Sequence, residues 1–227
     1  GMVFVRRSGA MADTGATVEE APRPPLADAL LWIAFSACGS ILLLSLTSQM
    51  CQDVAVVPFL WVAPLSLYLL TFVLAFDHER WYVRPVAIPL AATAIGLTVW
   101  LLNRQYAPIE WPLGRQIAIY CGTVFLGCLV CHGEVARMKP GTRHLTGFYL
   151  SIALGGAIGG LFVSLAAPRL FSGYWELHLA FVLLAVLVSA QLCRQLRPIR
   201  RPWLVLPAAA LWLCAVGAML LFLRHHI

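Results

Sequence analysis

The chain has 227 residues, of which 61% are hydrophobic and 11% charged, against about 45–50% and about 25% in an ordinary soluble domain. Its mean hydropathy is +0.83, and the few charges are gathered so unevenly that long uncharged runs remain. A soluble enzyme domain is excluded, because a run of about 20 apolar residues already suffices to cross about 30 Å of hydrocarbon.

Residues 1–25 are polar, carry both signs of charge and hold Pro22, Pro24 and Pro25. Such a composition buries too little apolar surface to order itself, so this segment reads as a disordered cytoplasmic tail, with Met2 and Met11 both open as starts. Arg6 and Arg7 form a twin arginine, but the apolar run begins about twenty residues later, too far for an export signal.

Residues 26–227 read as one transmembrane bundle. The uncharged runs place spans at 29–50, 54–76, 85–102, 116–131, 145–167, 177–193 and 203–223, seven in all. Backbone polar groups in lipid must be satisfied within the segment, which leaves helices or closed barrels. These runs are apolar on every side and do not alternate, so the expected class is all-α, a polytopic membrane helix bundle of about seven helices.

Loop charges orient it. With the amino terminus cytoplasmic, twelve of the sixteen Lys and Arg residues fall inside and only Arg104, Arg115, Arg169 and Arg224 outside. This asymmetry, with attraction to anionic headgroups, accounts for the net charge of +6 without invoking nucleic acid. Trp81, Tyr82, Trp111, Tyr174, Trp175 and Trp203 stand beside expected span ends, as interfacial aromatics do.

Polar residues are rare enough to be weighed singly. The short link after the first span holds Gln49, Gln52 and Asp53. Asp53 can cap the second helix, and the three together can form a cation or amine site opening outward, with Pro58 and Pro64 loosening the span behind it. At the end of the fourth span, His132, Glu134 and Arg137 lie within six residues. Glu134 and Arg137 are spaced to pair on one helix face, while ionisable groups in spans commonly mark proton or substrate pathways. The ligand-binding candidates are thus Gln49, Gln52, Asp53, His132 and Glu134.

Cys128, Cys131 and His132 spell C-x-x-C-H, the pattern of covalent haem attachment. That chemistry needs an exposed segment on the oxidising side, whereas this one lies in a helix with its end cytoplasmic. The other cysteines are scattered singly, and a zinc site wants four converging ligands, so neither cofactor nor metal is expected. Seven spans suggest a retinal protein, but the sole lysine, Lys139, lies in a loop. Glu176 and His178 open the sixth span, where a carboxylate suits the helix macrodipole.

The fifth span carries Gly155, Gly156, Gly159 and Gly160, two overlapping G-x-x-x-G patterns that permit close helix contact. Packing within the chain is one use of that face, and association with another membrane subunit the other. An echo sets Cys51 to Ala55 beside Cys131 to Ala136 three spans later, as an inverted three-helix repeat would.

Three segments carry a resemblance: QDVAVVPFLWVAPLSLYLL from Gln52, CHGEVAR from Cys131 and HLTGFYLSIALGGAIGGLFVSLAAP from His144. Together, over residues 30–193, the chain resembles the membrane half of bacterial fused proteins that join a transporter-like part to a spermidine-synthase-like part. The resemblance implies a multi-pass protein of the bacterial inner membrane and draws attention to Asp53, His132 and Glu134. In that family an aminopropyltransferase-like soluble domain follows, which these 227 residues do not contain, so no catalytic residue carries over and an enzyme is the least expected class. Two functions remain. One is binding or transport of a small cationic, polyamine-like molecule; the other is an accessory subunit docking to a larger complex, or to a synthase-like chain, through the glycine-rich helix.

Overall fold

The computed structural model describes residues 24–53, 59–104, 112–171, 175–196 and Gly217, and these are helical apart from short links. In chain order the helices are α1 (Leu26–Asp53), α2 (Val62–Asp77), α3 (Arg84–Arg104), α4 (Leu113–Arg137), α5 (Leu145–Leu161), α6 (Ala167–Leu170) and α7 (Trp175–Leu196), with a π turn, Phe162–Ala166, joining α5 to α6. Pro168 accounts for the π turn, since its ring and missing N–H forbid a regular bond to the preceding turn.

Among the described residues five segments are long and apolar enough to cross a membrane: Leu26–Gln52, Arg84–Leu102, Leu113–Arg137, Thr142–Leu170 and Trp175–Arg194. The chain is a polytopic, all-α membrane protein. Of the seven expected spans, the second departs from expectation. The second span is a 16-residue helix, about 24 Å long at the usual rise against about 30 Å of hydrocarbon. Pro64 lies in its first turn, where a missing N–H costs nothing, so it starts the helix and does not loosen it. The expected seventh span at 203–223, the polar tail at 1–23, and Pro58 lie outside the described residues.

Helix directions follow from contacts. Arg194 bonds Asp28 at 2.6 Å and the Cys38 thiol approaches the Ala180 carbonyl, so α1 and α7 are antiparallel. The sites of Gly155 and Gly159 on α5 meet Ile33 and Ala37 on α1, so those two run parallel. Thr98 and Thr123 join α3 to α4 at 2.7 Å, while Arg84 meets Glu134, again antiparallel. Each long helix reverses the one before it.

Two helices organise the packing. α1 is flanked by α4, α5 and α7, and α4 by α1, α2 and α3. Phe35, Leu42, Leu46 and Met50 run along α1 and are fully buried, meeting Phe181 and Leu184 of α7 and Val124 and Cys128 of α4 in one core. Leu150, Leu154, Ile158 and Leu161 on α5, with Leu165 in the π turn after it, form an exposed stripe, the face a lipid-contacting helix presents. The end where α1 begins is called the lower end; α2, α4 and α7 finish there, and α3 and α5 start there.

Candidate functional site

The lower-end link between α2 and α3, with the first residue of α3, supplies two members, Tyr82 and Arg84, of a buried polar cluster. α2 stops at Asp77 because His78 turns to extended backbone, and the His78 Nδ1 accepts the Arg80 N–H at 3.2 Å to start the 3-10 turn Glu79–Trp81. Tyr82 is again extended, and α3 begins with Arg84 and Pro85. Pro suits that first turn, but a cation at a helix start opposes the macrodipole.

Glu134 of α4 compensates. Its Oε1 accepts from Tyr82 Oη at 2.6 Å and from Arg84 Nε at 2.6 Å, and Arg84 Nη2 pairs with its Oε2. All three residues are buried. The fork is the bidentate form that guanidinium and carboxylate favour, and removing one member of such a buried pair costs about 3–5 kcal/mol. Gly133 is what lets Tyr82 in, since a Cβ there would run into the tyrosine ring. Burial, with the Glu134 carboxylate beside it, raises the Tyr82 hydroxyl well above its ordinary pKa.

These contacts correct two expectations. Glu134 takes Arg84, fifty residues away, in place of Arg137, and Tyr82 turns inward from its expected interfacial place, whereas Trp81 remains exposed. α4 continues through Arg137, past the expected end at 131, because the charges after Cys131 set the hydrocarbon limit and do not break a helix.

His132, two residues from Glu134, faces the other way. Thr71 Oγ1 of α2 donates its one proton to the Tyr68 carbonyl at 2.7 Å, so the 3.0 Å contact with His132 Nδ1 has the imidazole as donor. Tyr68 and Phe72 meet the imidazole edge-on at 4.7 and 5.3 Å. His132 thus fastens α2 to α4, and no hydrogen bond among the described residues joins it to Glu134.

A cavity of about 190 Å³ opens at the lower end beside the Glu134 cluster. Asp77 and Glu79 stand on the α2 side, Arg137 and Lys139 on the α4 side, and Phe76, Tyr82 and Gly133 lie beneath. The four charged residues are exposed, and the described ion pairs, Arg84 with Glu134 and Asp28 with Arg194, use none of them.

The upper-end candidates do not converge with these. Gln49 is buried on α1 and Gln52 exposed one turn later; Asp53 is the last residue of α1, its side chain outside the described part. The glycine face is already occupied: Cβ atoms at Gly155 and Gly159 would fall on the Ile33 and Ala37 carbonyls of α1, while Gly156 and Gly160 flank the contact with room to spare. Cys128 and Cys131 are fully buried, with the Cys128 thiol against the Gly39 carbonyl of α1, which leaves no exposed segment for haem attachment. Among the described residues no group of three His, Cys, Asp or Glu side chains is placed to hold a metal.

Sequence reasoning missed Asp77, Glu79, Tyr82 and Arg84 as site residues. The signal was the charged and aromatic run Asp77 to Pro85, dense in a chain so poor in charge. Scans against protein-family models, curated proteins and solved structures find no match to this chain.

Proposed function

We propose that this membrane protein binds or moves a small amine-bearing molecule, and that the lower-end cavity holds the amine. The supporting observation is the pair of exposed carboxylates, Asp77 and Glu79, at the mouth of a cavity and outside the described ion pairs. Buried Glu134 is already engaged by Arg84 and Tyr82, so the amine meets Asp77 and Glu79 and not Glu134. By loop charge the lower end is cytoplasmic. The resemblance to fused spermidine-synthase-like proteins makes polyamines the first compounds to try, with Gln49, Gln52 and Asp53 as the opposite mouth of a path. The accessory-subunit alternative loses the surface it rested on, since α1 covers Gly155 and Gly159.

The test is thermal unfolding of purified protein in detergent with and without spermidine. A ligand at a hundred times its Kd stabilises by about 2.7 kcal/mol. The expected result is a spermidine-dependent rise in Tm that the Asp77→Asn/Glu79→Gln double variant abolishes while its ligand-free Tm stays unchanged. A rise that survives in the double variant, or none in the wild type with any amine, overturns the reading.

A further inference from the structure

The same cavity presents two charges of each sign. Asp77 and Glu79 come from the end of α2 and the turn after it, while Arg137 ends α4 and Lys139 follows two residues on. The floor adds no net charge, because the Glu134 carboxylate is neutralised by Arg84 and the Tyr82 hydroxyl is spent on Glu134. A polycation at this site is attracted by one wall and repelled by the other. A dipolar molecule gains from both.

Size and place narrow the class. About 190 Å³ is several times the volume of a water, about 30 Å³, but below the roughly 300–1,000 Å³ of a drug-sized pocket. That is room for a headgroup-sized fragment or for one amine end of a polyamine, and not for a whole extended polyamine. The cavity lies where α2 ends and α4 runs out into charged residues, and the chain on either side of its lining residue Tyr82 exposes Trp81, Val83 and Val86, the level at which aromatic and basic residues meet lipid headgroups. A guanidinium and an ammonium on one wall suit a phosphate oxyanion.

We infer that the cavity takes an aminoethyl phosphate group, with its ammonium on Asp77 and Glu79 and its phosphate on Arg137 and Lys139. This rests on the reading of the cavity as an amine site and adds the acid that the amine must carry. The group occurs as free phosphoethanolamine and as the headgroup of phosphatidylethanolamine.

The test compares four soluble probes, phosphoethanolamine, ethylamine, spermidine and inorganic phosphate, by their effect on Tm in detergent free of ethanolamine lipids. A second arm compares nanodiscs of phosphatidylethanolamine with nanodiscs of phosphatidylcholine. Expected is half-maximal stabilisation by phosphoethanolamine at a concentration at least tenfold below that of each other probe, or, if the lipid is the source, a higher Tm in phosphatidylethanolamine nanodiscs alone. Arg137→Gln/Lys139→Gln, two exposed positions, should cancel that preference and leave the ligand-free Tm unchanged. Spermidine or ethylamine acting as well as phosphoethanolamine overturns this inference and leaves the amine site standing. Phosphate alone acting as well overturns both, as does the absence of any effect from every probe and both lipids.

Discussion

Tyr82 shows how much one side chain can bind together in a chain so poor in polar groups. It is buried, it closes the fork on Glu134 at 2.6 Å, and it rests on Gly133 of α4, which has no Cβ to obstruct it. A hydrogen bond to a charged acceptor contributes about 1.5–3 kcal/mol, so Tyr82→Phe should lose about that much near neutral pH. The pH dependence has a definite sign. Burial first, and the Glu134 carboxylate second, hold the Tyr82 hydroxyl well above its ordinary value, which is about 10. Above that pH the unfolded chain releases the proton and the folded one keeps it, so stability present below about pH 10 is lost as the pH climbs further. Tyr82→Phe removes that loss. Denaturant unfolding in micelles at pH 7 and pH 11 should therefore show a gap between wild type and variant that narrows at the higher pH; a constant gap would mean the hydroxyl is not protected. At this scale the sequence was half legible. An ionisable residue such as Glu134 stands out in an apolar run, whereas its partner comes from a link fifty residues away, and nothing in the spacing says which of several arginines reaches it.

Helix α5 carries the lesson at the scale of elements. Four glycines in two G-x-x-x-G patterns look equivalent in sequence, yet only alternate members press on the backbone of α1. Cβ atoms at Gly155 and Gly159 meet backbone carbonyls, which cannot move aside, whereas Gly156 faces the Ser40 hydroxyl at 3.5 Å and Gly160 a leucine methyl at 4.0 Å. Overpacking a tight contact costs about 1–3 kcal/mol. Gly155→Ala and Gly159→Ala should each lower stability by that order, while Gly156→Ala and Gly160→Ala should stay neutral or gain up to about 1 kcal/mol from alanine's helix preference. A thermal series of the four single variants checks this, and equal effects at all four would place the α1 contact elsewhere. Hydropathy found α1, α3, α4, α5 and α7 because each is an uncharged run of membrane length. It misjudged α2, whose described helix begins only at Val62 after Phe59 takes a left-handed φ of 67°, and it ended α4 at the first ionisable residue, although backbone hydrogen bonding continues through a snorkelling arginine.

For the whole molecule, alternation of helix direction is the property the sequence carried best, because charge sorting and span order imply it together. Arg80, Arg84, Arg137, Lys139, Arg143 and Arg194 gather at the lower end, and Arg104, Arg115 and Arg169 at the upper. Which helices become neighbours was not legible. α1 beside α5, α7 and α4 depends on glycine contacts and buried polar pairs that hydropathy does not distinguish. In the orientation proposed above the lower end faces the cytoplasm, and the composition supplies a clean reporter of it. Lys139 is the sequence's single lysine, exposed just beyond α4, so an amine-reactive reagent that cannot cross membranes has one internal target, separable from the terminal amine by peptide mapping. Intact cells should leave Lys139 unlabelled and inverted vesicles should label it. Moving the lysine to the upper end, with Lys139→Arg and Arg169→Lys in one chain, should exchange the two outcomes, because the side of the bundle and not the local reactivity decides access. Labelling of Lys139 from outside intact cells would turn the whole bundle over. The cavity would then face away from the cytoplasm, and the aminoethyl phosphate it is inferred to take would have to come from the outer side.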